Sequence, residues 1–191
     1  MDEIEDCAVD RARSGDREAF RTLVESHSRG VFRLAFRMTG NEQDAEDVVQ
    51  ETFLRAYRQL DKFQAKASFS TWLFRIAANY SLDLIRRRKR RQELSPAAGS
   101  DGDTGLLQAV PSNRPTPDRL ALSGQFKEQL NSAMEELSPQ ERTAFVLRHF
   151  EGLSIEDIGA SLGTSANATK HSIFRAVQKL RHSLAPFVSV T

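Results

Sequence analysis

Helical periodicity runs along this chain on both sides of one interruption, and that interruption constrains the fold more than any other feature. Over residues 93–118 no apolar face repeats, and Pro96, Pro111, Pro115 and Pro117 are interspersed with Gly99, Gly102 and Gly105. Proline removes the amide proton that a helix needs, and glycine loses the most entropy on ordering, so such a stretch connects elements rather than forming one. No alternation of apolar and polar residues suggests a strand on either side. The expectation is an all-α protein of two small helical domains: an N-terminal arm over 1–15, a first domain over 16–92, a flexible linker over 93–118 and a second domain over 119–191.

Capping signals divide each domain into helices. Asp16 precedes a run in which Phe20, Leu23, Val24, Val31, Leu34, Ala35 and Met38 recur at three- and four-residue spacings, with Gly30 a weak point and Gly40-Asn41 a break. Asn41 then opens a helix whose apolar face is Ala45, Val48, Val49, Thr52, Phe53, Ala56, Tyr57 and Leu60. A third begins near Ser70, with Trp72, Leu73, Ile76, Ala77, Tyr80 and Leu84 turned inward. Beyond the linker, Leu122, Phe126, Leu130, Ala133, Met134 and Leu137 trace another helix. Ser138-Pro139-Gln140-Glu141 combines a cap, a helix-compatible proline and a capping-box acid. Ser154 starts a short helix ending at Gly163, and a last helix follows Ser165 to about Ala185. A short helix, a tight turn and a longer helix make a helix-turn-helix, whose second member lies in the major groove of DNA.

Charge is balanced overall, 27 basic against 26 acidic residues, yet segregated: acids crowd residues 42–51 and six consecutive bases fill 86–91. Guanidinium and ammonium groups neutralise phosphates, and aromatic faces stack on unpaired bases. One face of the third helix carries Asn79, Asp83, Arg86, Arg87 and Arg90, while Phe63, Phe74 and the polar loop 64–70 are candidates to hold a base out of the stack. In the terminal helix Asn167, Lys170, His171 and Arg175 are candidates to meet bases or phosphates. Asp44, Glu46, Asp47, Gln50 and Glu51 cannot favour DNA and suit a basic protein partner.

Other classes find little support. His27, His149, His171 and His182 are scattered, and no nucleophile motif, phosphate loop or zinc spacing occurs, so neither an enzyme nor a cofactor is expected. The single cysteine, Cys7, fits a reducing cytoplasm, and the acidic N-terminus with no long apolar run argues against export or insertion. The residues alone leave two other readings open. One is an operator-binding helix-turn-helix regulator acting on its own as a dimer. The other is a helical adaptor whose acidic face binds a basic protein.

The string Asp44-Ala45-Glu46-Asp47-Val48-Val49-Gln50-Glu51-Thr52-Phe53-Leu54-Arg55-Ala56-Tyr57, then Phe69-Ser70-Thr71-Trp72-Leu73-Phe74-Arg75-Ile76-Ala77 and the terminal helix-turn-helix, resembles an extracytoplasmic-function (ECF) sigma factor. These are compact initiation subunits of bacterial RNA polymerase with sigma regions 2 and 4 joined by a linker. The resemblance implies core-polymerase docking on the β′ clamp helices through Asp44, Asp47, Gln50, Glu51 and Leu54. It implies minus-ten promoter melting and base capture by Phe63, Gln64, Ser68, Phe69, Phe74, Asn79, Asp83, Arg86 and Arg87. Minus-thirty-five recognition would fall to Ser165, Asn167, Lys170, His171, Phe174 and Arg175, with earlier helices of that domain on the β flap. It also implies an anti-sigma factor that occludes the DNA-binding faces. Where many members carry Gly-Thr-Val-Lys-Ser-Arg, this chain has Asn167-Ala168-Thr169-Lys170-His171-Ser172.

Overall fold

The computed structural model describes residues 3–65, 67–94 and 117–188. Every regular element among them is helical: α1 (Glu3–Arg13), α2 (Arg17–Thr39), α3 (Glu42–Gln59), a 3-10 turn (Leu60–Lys62), α4 (Phe69–Leu94), α5 (Pro117–Glu135), α6 (Pro139–His149), α7 (Ile155–Leu162) and α8 (Ala166–Val188). The all-α expectation holds. Most of the expected linker, residues 95–116, lies outside the described residues.

The capping signals bound the helices as their chemistry requires. Asp16 Oδ1 accepts from the amides of Glu18 and Ala19 at 3.0 and 3.1 Å. Its carboxyl is held below the usual range by the Ala19 amide first and Arg11 second. Asn41 Oδ1 accepts from the Asp44 amide at 2.7 Å, and Ser138 with Glu141 forms both halves of a capping box. These contacts satisfy donors that the first helical turn leaves without carbonyl partners. Gly40 closes α2 at φ 80°, in the left-handed region that costs glycine least.

Three helices, α2, α3 and α4, enclose the first core around Leu34, Met38, Val48, Thr52 and Leu73. Gly30 does not interrupt α2. A Cβ there would lie 3.4 Å from the Phe74 ring, so the missing side chain makes room for an aromatic from α4. Two sequence expectations shift. Tyr57, expected in the core, is 50% exposed and meets the Phe20 ring edge-on at 4.9 Å. In α4 the buried residues include Leu73, Ala77, Ala78, Ser81 and Leu82, while Trp72, Ile76, Tyr80 and Leu84 are half-buried. Contact with α2 and α3 and also with α6 and α7 widens the buried face of α4 toward small residues.

The arm carries an unexpected helix. Val9 and Ala12 bury one side of α1, which packs against α2, and Glu5 meets His27 Nε2 at 2.9 Å. Val9 and Ala12 by themselves are too faint a period to read from sequence. The second domain packs α5, α6 and α7 on α8 around Met134, Leu147, Ile158, Ala176 and Leu180. Its α6 and α7 also rest on α2 and α4 of the first domain. Among the described residues no helix is long and apolar enough to cross a membrane.

Candidate nucleic-acid interface

A tight turn built by Gly159, Gly163 and Thr169 sets the angle between α7 and α8. Gly163 adopts φ 64°, and the Thr164 amide donates to the Gly159 carbonyl at 2.9 Å. Thr169 is fully buried, its hydroxyl donating to the Ser165 carbonyl at 3.0 Å and lying 2.9 Å from the Thr164 hydroxyl. A Cβ on Gly159 would come 2.8 Å from the Thr164 carbonyl oxygen, so only glycine permits this approach. With the inner face of α8 thus fixed, Asn167, Lys170, His171, Phe174 and Arg175 are exposed on the outer one. Ser165 caps the helix, accepting from the Ala168 amide at 3.3 Å. Phe174 is 61% exposed, a large apolar side chain open to solvent. Ser172 is turned inward, its hydroxyl donating to the Ala168 carbonyl at 3.0 Å.

Glu141 anchors this helix to α6, a role that the sequence presented only as a cap. It is 5% exposed, yet its Oε2 accepts from the Ser138 amide at 3.0 Å and from Lys179 Nζ at 2.8 Å, while Arg175 Nε lies 3.1 Å from Oε1. Burial pulls the Glu141 carboxyl upward; the Lys179 and Ser138 hydrogen bonds overcome it and hold the group below the ordinary glutamate range. Arg175 is therefore shared between an internal tie and the outer face.

The second candidate surface lies along α4. Asn79, Asp83, Arg86 and Arg87 are all exposed, at spacings that keep them on one side. The basic run divides: Arg86, Arg87, Arg90 and Arg91 face solvent, whereas Arg88 reaches Asp44 Oδ2 at 3.2 Å. That pairing changes the reading of Asp44, which also accepts from Asn41 Nδ2 at 2.6 Å and so ties α3 to α4. The outward part of the acidic face is Glu46, Asp47, Gln50 and Leu54; Glu51 is half-buried and paired with Arg55 at 2.7 Å.

Two of the aromatic residues named for base capture, Phe63 and Phe69, belong to the interior in this structure. Phe63 is 6% and Phe69 1% exposed, and they meet each other and Trp72 with ring centroids 5.2 to 5.8 Å apart. Phe74 is half-buried against Gly30. Their rings are large apolar groups at the base of a short loop, where burial outweighs exposure. What they do is hold that loop. Gln64 and Ala65 are exposed at its tip, and Ala65 has φ 52°, a conformation that a non-glycine residue rarely adopts. Ser68 closes the loop by accepting from the Thr71 amide at 3.1 Å, with its hydroxyl also 3.0 Å from that of Ser70.

Residues 23–91 match the family described as Sigma-70 region 2, and residues 127–180 match Sigma-70, region 4. The ECF RNA polymerase sigma factor SigE of Mycolicibacterium smegmatis is 40% identical over 182 residues, covering 93% of this chain and 67% of its own. The ECF RNA polymerase sigma factor SigW of Bacillus subtilis is 33% identical over 177 residues, covering 92% and 94%. Among solved structures, CnrH in complex with the cytosolic domain of CnrY superposes with a TM-score of 0.65 at 28% identity, over 96% of this chain and 99% of that one.

Proposed function

The chain belongs to the ECF RNA polymerase sigma factors of the sigma-70 family, and from that premise we propose how its surfaces divide the work of initiation. Asp47, Gln50 and Leu54 on α3 dock on the clamp coiled coil of the β′ subunit. Asn79, Asp83, Arg86 and Arg87 on α4 follow the non-template strand of the minus-ten element, and Gln64 with the rest of the loop tip receives an extruded base. Asn167, Lys170, His171 and Phe174 on α8 read the minus-thirty-five element, while α5 to α7 face the β flap. Asn suits adenine, Lys suits guanine or phosphate, and an exposed Phe suits a thymine methyl group. An anti-sigma factor covering these faces is a further proposed partner.

The observation that carries this reading is the separation of two outward DNA-compatible faces onto two domains, with a further outward acidic face on α3. A regulator bound to an operator through α8 alone gives the α3 and α4 faces no task, and the match to region 2 leaves that alternative unsupported. Energetics assign melting to the assembled polymerase. Extracting a base costs on the order of a few kcal/mol and stacking returns about 1 to 3 kcal/mol, so the free chain gains little. Holding both domains on one promoter raises the effective concentration of each at its own element.

Transcription by purified core polymerase, with and without this protein, on a genomic fragment library tests the proposal. Discrete new start sites sharing two upstream elements are expected. Asp47→Arg weakens binding to core, whereas Lys170→Ala spares it and impairs promoter use; equal loss of core binding in both variants refutes the division of surfaces.

A further inference from the structure

Glu5 of α1 and His27 of α2 meet with both side chains largely shielded from solvent. Glu5 Oε1 is fully buried and lies 2.9 Å from His27 Nε2. Among the described residues that oxygen makes no hydrogen bond, so the ring nitrogen beside it is what compensates its burial. A buried carboxylate with one such neighbour holds it in one orientation, because turning the ring away would leave the oxygen with nothing.

The same ring belongs to an aromatic layer. Its centroid is 5.4 Å from that of Phe69, with the planes inclined at 57°. Phe69 packs in turn on Phe63 and Trp72, so the rings of His27, Phe69, Phe63 and Trp72 form one continuous layer. From outside, α1 packs on the 3-10 turn Leu60–Lys62 and on α4, the elements that carry the chain into Phe63 and out from Phe69. The Phe63 amide donates to the Leu60 carbonyl at 3.2 Å, which fixes the entry. Between those two rings stands Ala65 at φ 52°, and a non-glycine residue stays in that region only where its surroundings over-determine it. The layer supplies that constraint, since Phe63 and Phe69 bracket the turn and neither can shift without displacing a packed neighbour.

We propose that His27, oriented by Glu5, is a positioning residue for base capture: it steadies the aromatic layer, and α1 thereby sets the shape of the turn at Gln64 and Ala65. This rests on the reading of that turn as the receiver of an extruded base. When the pair is lost, the turn spreads over other shapes, and apparent affinity for the captured base falls with the fraction that remains competent.

Glu5→Leu tests the role, because it removes the carboxylate without leaving a buried charge unpaired; in Glu5→Gln an amide oxygen can still face Nε2–H. Glu5→Ala repeats each measurement with a smaller side chain, so a misfit of leucine is not mistaken for loss of the carboxylate. In the free full chain, Trp72 emission reports the layer. It shifts in Glu5→Leu and Glu5→Ala and keeps its wild-type value in Glu5→Gln. Polymerase assembled with each variant is then bound to a promoter found with the fragment library, intact or with an abasic site at successive minus-ten positions of the non-template strand. The position where an abasic site weakens wild type most marks the captured base. There the penalty shrinks roughly threefold to tenfold in Glu5→Leu, a coupling of the size found between groups in contact, while affinity for core polymerase is unchanged. Equal weakening on intact and abasic promoters is what a general loss of stability gives, and it overturns the proposal. An unaltered Trp72 spectrum or an unaltered abasic penalty overturns it as well, and leaves the base-capture reading standing. A wild-type holoenzyme indifferent to every abasic site overturns that reading and this role for His27 together.

Discussion

Removing the Glu141 side chain tests whether one buried carboxylate holds the promoter-reading domain together. Glu141→Ala deletes half of the capping box, about 0.5 to 1 kcal/mol, and the charge-assisted hydrogen bond from Lys179, about 1 kcal/mol after discounting for a lysine that is 43% exposed. Arg175, 62% exposed, adds little. The expected loss is about 2 kcal/mol, or roughly 8 to 16 °C in the midpoint of a domain this small. Glu141→Gln keeps a side chain that can reach back to the Ser138 amide, so about half the loss is expected. Far-UV circular dichroism follows both domains during thermal unfolding. Fluorescence of Trp72, the single tryptophan, follows the first. Because the Glu141 carboxyl is depressed in the folded state, its contribution is present above the unfolded value of about 4.3 and disappears as pH falls through the lower folded value. Wild type and Glu141→Gln therefore converge near the acid end. An Ala variant within about 0.5 kcal/mol of wild type, or a Gln variant as damaged as Ala, refutes the argument.

Gly159→Ala sets a methyl group 2.8 Å from the Thr164 carbonyl and 3.2 Å from the Thr169 hydroxyl. A loss of about 1 to 3 kcal/mol is expected in urea unfolding, with promoter use falling before core binding does. Phe63→Ala empties a site shared with Phe69 and Trp72. A loss of about 3 to 4 kcal/mol is expected from denaturant midpoints, whereas a ring kept outside for stacking would cost little on removal.

The sequence by itself determined the elements that rest on local chemistry. Asp16, Asn41, Ser138 and Ser154 announce helix starts because their side-chain oxygens serve amides two or three residues away, and each caps a helix in the structure. The turn between α7 and α8 is equally local, since Gly163 needs only its own left-handed φ. The exposed face of α8 follows from the same short-range period. Tertiary structure alone decided which groups are spoken for. Arg88 and Asp44 look free in the sequence, 44 residues apart, and the packing of α4 on α3 joins them. Phe63 and Phe69 carry no mark distinguishing a stacking ring from a buried one; their mutual contact with Trp72 decides it. Arg142 sits in a local helix pattern, yet its partner is a carbonyl 105 residues away. Periodicity encodes how far a side chain is turned, but only the approach of other helices fixes what it meets, because burial and pairing are properties of the surrounding volume.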